Sequence, residues 1–167
     1  MNKPEETSVS LRKRVIGIFS LALLVLVAVE IGIVWLLGLW GSFDLGWWHQ
    51  VIGALMIIGG IFLVGWSISI QYTLGKGTPF PKVATQQLIT TGPYASTRNP
   101  MTLGAFLLYL GIAVGMGSMP VILLILAIFS ALLTFIYRHE TCELTERFGE
   151  EYLEYRRRTP FFIPGIR

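Results

Sequence analysis

The chain has 167 residues, 53% hydrophobic and 14% charged, against about 25% charged in an ordinary soluble domain. With a mean hydropathy of +0.65, this composition excludes a soluble globular protein and a disordered one. A single cysteine, Cys142, excludes a disulfide framework and a four-cysteine zinc site. The net charge is only +3, but the basic residues gather at the N-terminus, in one loop and in the C-terminal tail. That placement speaks for membrane topology and against nucleic-acid binding.

Residues 1–14 read as a polar cytoplasmic tail, disordered through residue 11. Two spans follow within 15–70, one over Val15–Trp40 and one over Trp47–Ile70, each reaching the roughly 20 apolar residues that a bilayer core requires. The first lacks a cleavage site and is expected to stay as a signal anchor. Residues 71–99 form a long loop rich in Gly, Pro and Thr, a length that is usually functional. The apolar stretch from Met101 to Tyr137 is interrupted by Gly115-Met-Gly-Ser-Met-Pro120. It therefore predicts a tight antiparallel hairpin, 100–116 and 119–137. Residues 138–158 predict a helix with one apolar stripe, Leu144, Phe148, Tyr152 and Tyr155, and with i,i+4 pairs Glu143–Arg147 and Glu154–Arg158. Thr159-Pro160 ends it.

Backbone groups in lipid must be satisfied internally, so the expected fold is all-α, an integral membrane helical bundle of four spans plus a cytoplasmic C-terminal helix. Arg12, Lys13 and Arg14, then Lys76, Lys82 and Arg98, then Arg138 and Arg156–Arg158 flank the spans on one side, whereas 41–46 and 115–120 carry no Lys or Arg. The positive-inside rule then makes both termini and the 71–99 loop cytoplasmic.

Taking the hairpin turn near residue 118 places Arg98 and Arg138 at equal depth, twenty residues to either side. Arg98-Asn99-Pro100 and Arg138-His139-Glu140 are thus expected to meet at the cytoplasmic helix ends. Asn99 before Pro100 is an N-cap followed by a favoured first helical residue. The free N–H groups of that helix end suit a carboxylate, and Glu140 offers the opposite charge. A zwitterionic ligand fits this pair of partners; a cap plus an Arg–Glu pair anchoring the hairpin is the simpler use of the same residues.

The segment Thr91-Gly-Pro-Tyr-Ala-Ser-Thr-Arg-Asn-Pro-Met-Thr-Leu-Gly104 resembles the motif G-P-Y-x-x-x-R-[HN]-P-x-Y-x-G of the isoprenylcysteine carboxyl methyltransferase and phospholipid methyltransferase group. Glu140-x-x-x-Leu144-x-x-x-Phe148-Gly-Glu-Glu-Tyr-Leu-Glu-Tyr-Arg-Arg-Arg-Thr-Pro160 resembles that group's C-terminal signature. Thr102 stands at the usual Tyr and Thr141 at the usual second acid. The resemblance makes 71–167 the catalytic region and implies S-adenosylmethionine as methyl donor, with a lipophilic small-molecule acceptor drawn from the bilayer. It assigns Arg98, Asn99, Pro100 and Gly104 to the donor pocket, with Glu140 as the matching acid; Tyr94, Leu103 and His139 are expected beside them, and Arg98, Glu140, Glu151 and Arg157 are candidates for methyl transfer, as Tyr152 and Arg158 are for the acceptor. A non-enzymatic membrane scaffold and a sterol-reductase-like enzyme using NADPH are the alternatives.

Other residues invite chemistry but lack the pattern for it. His139-Glu-Thr-Cys-Glu143 has no second His for a zinc helix, and Gly75-Lys-Gly-Thr78 lacks the order of a phosphate loop. No metal site is expected. Glu30 interrupts the first span about 22 Å from its cytoplasmic end at helical rise, too far for methyl transfer; it is expected to pack against another helix, with a role toward the acceptor lipid or a proton as the alternative. Gly53, Gly60, Gly65, Gly111 and Gly115 are expected to let helices approach closely.

Overall fold

The computed structural model describes residue 25 and residues 28–38, 45–74 and 87–166, without the side chains of 139–143. The polar N-terminal tail, most of the first predicted span and residues 75–86 of the loop lie outside these residues. Four α-helices are described: α1 (28–36), α2 (Trp48–Thr73), α3 (Pro100–Gly115) and α4 (Met119–Arg158). A short 3-10 turn, Gly92–Ala95, precedes α3. The described fold is all-helical, with no strand.

Two segments, Trp48–Thr73 and Met119–Arg138, are long and apolar enough to cross a membrane. At 16 residues, α3 is about 24 Å long, shorter than a hydrocarbon core of about 30 Å. The outward faces suit lipid: Leu55, Ile58, Ile61 and Phe62 of α2, and Leu123, Leu124 and Ile128 of α4, are largely exposed.

Glycine sets the α2–α3 contact. A Cβ on Gly60 would lie 2.6 Å from the Gly104 carbonyl oxygen, and one on Gly53 would lie 2.6 Å from that of Gly111. Reciprocally, a Cβ on Gly104 or Gly111 would come within 2.8 Å of the carbonyl oxygens of Gly60 or Gly53. Two glycines seven residues apart on each helix thus form a seam in which backbone meets backbone, the packing that association in lipid favours. Gly65 departs from expectation: it is exposed, and nothing lies within 4 Å of its ideal Cβ. Gly60→Ala is expected to cost about 1–3 kcal/mol, because only main chain is available to move. Gly65→Ala is the neutral control in thermal unfolding of the detergent-solubilised protein.

The hairpin turn is tighter than a generic loop. Ser118 N–H donates to Ala113 O at 3.0 Å and Gly117 N–H to Val114 O at 2.9 Å, with Gly117 at φ 65. This is a Schellman termination, which favours glycine at the left-handed position. Near the turn, Val34 of α1, Ala113 and Met116 on the α3 side, and Val121, Ile125 and Phe129 of α4 form a buried apolar cluster.

One element boundary differs from the sequence reading. The helix expected at 138–158 is not separate: α4 runs 40 residues, from Met119 to Arg158. Passing from apolar to polar sequence at Tyr137-Arg138 breaks no backbone hydrogen bond, and neither Gly nor Pro stands there to end the helix. The break comes at Gly149, with φ 54 and ψ −128, a region essentially reserved for glycine. That kink lies just before the segment that carries Tyr152 and Tyr155.

Candidate functional site

The motif segment 92–99 is pinned by the C-terminal segment. Arg98 N–H donates to Pro160 O at 2.9 Å. Asn99 Nδ2 donates to Phe161 O at 3.2 Å, and Thr97 Oγ1 donates to the same oxygen at 3.3 Å. Tyr155 donates its hydroxyl to Tyr94 O at 2.7 Å in a buried contact. Residues about sixty positions apart are thereby clasped. Asn99 does not act as the side-chain cap expected of it. Its amide is spent on Phe161 O, while its main-chain carbonyl accepts from Leu103 N–H at 3.0 Å.

Arg98 is held from several directions. Its Nη1 donates to the Tyr152 hydroxyl at 3.1 Å, and its guanidinium carbon lies 5.3 Å from the centre of the Phe161 ring. The Phe161 ring also meets that of Tyr137, with centroids 5.2 Å apart. Phe161 therefore touches both Arg98, just before α3, and Tyr137, the residue preceding Arg138. The side chains of His139 and Glu140 lie outside the described residues. The Nε of Arg98, a strong charged donor, is buried without a partner among the described residues.

Two cavities meet at this arginine. The larger, about 670 Å³, lies between α3 and α4 with α1 at its side. Its α3 wall is Met101, Thr102, Ala105 and Tyr109, and its α4 wall includes Val121, Ile125, Phe129 and Leu132. Its size falls within the roughly 300–1,000 Å³ usual for ligand pockets. The smaller, about 80 Å³, lies under the C-terminal segment and is lined by Leu88, Ile89, Leu144, Phe148, Tyr152, Tyr155 and Phe161. The predicted apolar stripe of α4 is thus the roof over the motif. Gln71, Tyr94, Arg98 and Asn99 line both cavities.

The remaining assigned residues fall in different places. Pro100 lines the larger cavity, but Leu103 lines neither, and Gly104 is buried in the α2 seam. Glu151 is exposed. Arg157 lies 3.8 Å from Glu150 and Arg158 pairs with Glu154, all exposed; the second is the predicted i,i+4 pair. Arg156 donates to the Tyr137 hydroxyl at 3.1 Å.

One member of the site, Gln71, was missed in the sequence, and Glu30 was read first as a packing residue. Gln71, in the last turn of α2, has a buried Oε1 with no partner among the described residues and lines both cavities. A glutamine just past an apolar span was the available signal. Glu30 lines the larger cavity together with Arg98; the expected distance between them is bridged by continuous open space.

Tyr155→Phe removes a buried donor from the Tyr94 carbonyl. It is expected to cost about 1–3 kcal/mol and to raise hydrogen exchange across 92–99, with α2 unchanged.

The fold and site define a helical membrane protein with a polar, arginine-bearing wall between two chambers at the base of a hairpin. The model of the phospholipid methyltransferase family matches residues 48–151, more than half the chain, and the chain belongs to that family. It is a membrane methyltransferase. The match covers α2, the motif and the hairpin, and stops one residue before Tyr152. No curated protein and no solved structure matches the chain.

Proposed function

We propose that the protein transfers a methyl group from S-adenosylmethionine to a small lipophilic acceptor, a carboxylate or an amine, at the cytoplasmic face of the membrane. The observation that carries this reading is the wall of Gln71, Tyr94, Arg98 and Asn99 shared by an apolar chamber and a chamber beneath the polar C-terminal segment. A lipophile entering between α3 and α4 keeps its chain in the larger cavity and brings its head to Arg98. In this reading the chain has four spans with both termini cytoplasmic, supported by the positive-inside pattern; among the described residues, two helices are long and apolar enough to cross a membrane.

The residues present fit the donor. Arg98 Nε–H and the first-turn N–H groups of Met101 and Thr102, which have no helical acceptor, suit a carboxylate. The unpartnered Gln71 Oε1 suits an ammonium or amino group. Glu140 and His139, by their place in the motif, complete the donor set from α4. Bound there, S-adenosylmethionine supplies an electrophilic methyl group that needs only an in-line nucleophile. The protein's own contribution is position and dryness: Arg98 orients, while Tyr152, Tyr155 and Phe161 shut out water. At about 80 Å³ the chamber under this roof is below ligand size, so the segment after Gly149 lifts to admit the donor and closes over it.

Thermal unfolding with S-adenosylhomocysteine or NADPH tests the reading. Stabilisation by the sulfur ligand alone is expected. Stabilisation by NADPH alone would replace the methyltransferase reading with a reductase, and none by either would leave a scaffold.

A further inference from the structure

The deep part of the larger cavity is not purely apolar. Glu30 is only 9% exposed, and neither carboxyl oxygen has a partner among the described residues. It lies within electrostatic reach of Tyr109, whose hydroxyl is also buried without a partner among the described residues. Both residues line the cavity. Around them are Val29, Ile33, Val121, Ile125 and Phe129, none of which can accept or donate a side-chain hydrogen bond. A carboxyl group left alone among such neighbours in a span costs several kcal/mol, so its retention there calls for a partner. Tyr109 lies eleven residues beyond Arg98, about 16 Å along the helix at 1.5 Å per residue.

We propose that Glu30 and Tyr109 form a second polar subsite, which selects a lipophile bearing a hydrogen-bond-donating group, an amine or a hydroxyl, at the end opposite the head held by Arg98. The cavity is then a ruler with a basic end and an acidic end. Calling that lipophile the methyl acceptor rests on the proposed function; the subsite itself does not. It also lies outside the matched family region on the Glu30 side, which begins at residue 48.

The test is direct binding to the full-length protein in nanodiscs. The probes are 12-aminododecanoic acid and 12-hydroxydodecanoic acid, which present a donor at the far end, and dodecanoic acid, which does not. Wild type is expected to bind the amino probe about tenfold or more tightly than dodecanoic acid, the worth of one charged hydrogen bond. Glu30→Leu is expected to abolish that gap and leave dodecanoic acid binding unchanged. Glu30→Gln, nearly isosteric, is expected to keep the preference for the hydroxy probe and lose the extra gain of the amine. Equal binding of all three probes by wild type, or an advantage of the amino probe that survives either substitution unchanged, would overturn the subsite. S-adenosylhomocysteine stabilisation, read on the same preparations, separates the two readings. Its absence with the gap present removes methyl transfer and keeps the subsite, and its presence without the gap does the reverse.

Discussion

Arg98→Ala is expected to lower kcat/KM for methyl transfer by about 100-fold or more, the effect of losing roughly two charged hydrogen bonds at about 1.5 kcal/mol each. The loss should not be one of folding. The clasp to the C-terminal segment uses the Arg98 main-chain N–H, the Asn99 amide and the Thr97 hydroxyl, all of which survive the substitution. Only the bond to the Tyr152 hydroxyl and the stacking on Phe161 disappear, so thermal stability should fall by no more than about 1–2 kcal/mol. Arg98→Lys is expected to restore little. A lysine has one point charge, whereas Arg98 directs Nη1 to Tyr152 and keeps a buried Nε–H with no partner among the described residues. Radiolabel transfer, with unfolding followed in parallel, measures both quantities. Full activity in the alanine variant would remove Arg98 from the chemistry.

Ending the chain after Gly149 is expected to reduce S-adenosylhomocysteine affinity at least about 100-fold while leaving the bundle folded. The truncation removes Tyr152, Tyr155 and Phe161, three walls of the smaller cavity. It also removes the Pro160 and Phe161 carbonyls that hold the motif. The contacts that organise the bundle lie elsewhere, in the α2–α3 glycine seam and in the apolar cluster near the hairpin turn. Loss of two or more polar contacts to a ligand accounts for the magnitude. Isothermal titration in detergent gives the affinity, and protection of α2 and α3 amides in hydrogen exchange shows that the bundle persists. Unchanged affinity would mean that the segment is not a roof over the donor.

Those two expectations rest on features of unequal legibility in the sequence. Helix positions were readable where periodicity and breakers act locally. Trp47–Ile70 became Trp48–Thr73, and the Gly-Met-Gly-Ser-Met-Pro turn fell between Gly115 and Met119. The stripe Leu144, Phe148, Tyr152 and Tyr155 was legible because its spacing repeats at helical period, and all four line the smaller cavity. The α4 boundary was not, since a change of polarity mimics a helix end without breaking a hydrogen bond. Asn99 carries the composition of a cap, but a tertiary acceptor, Phe161 O, takes its amide instead. Gly104 satisfies both the motif and the seam, and sequence alone does not reveal that its face is turned to Gly60. Glu30 illustrates the same limit. Rise per residue sets it far from the cytoplasmic end of its span, and only the cavity between α3 and α4 brings it into one lining with Arg98.

The most direct measurement supplies purified protein, in nanodiscs made from total membrane lipid, with S-adenosylmethionine labelled in its methyl group, and then extracts the lipids. Label passing into the organic phase with wild type, and not with Arg98→Ala, is the outcome this account predicts. Label that stays entirely in the aqueous phase, although S-adenosylhomocysteine stabilises the protein, would contradict a lipophilic acceptor reaching Arg98 from the bilayer.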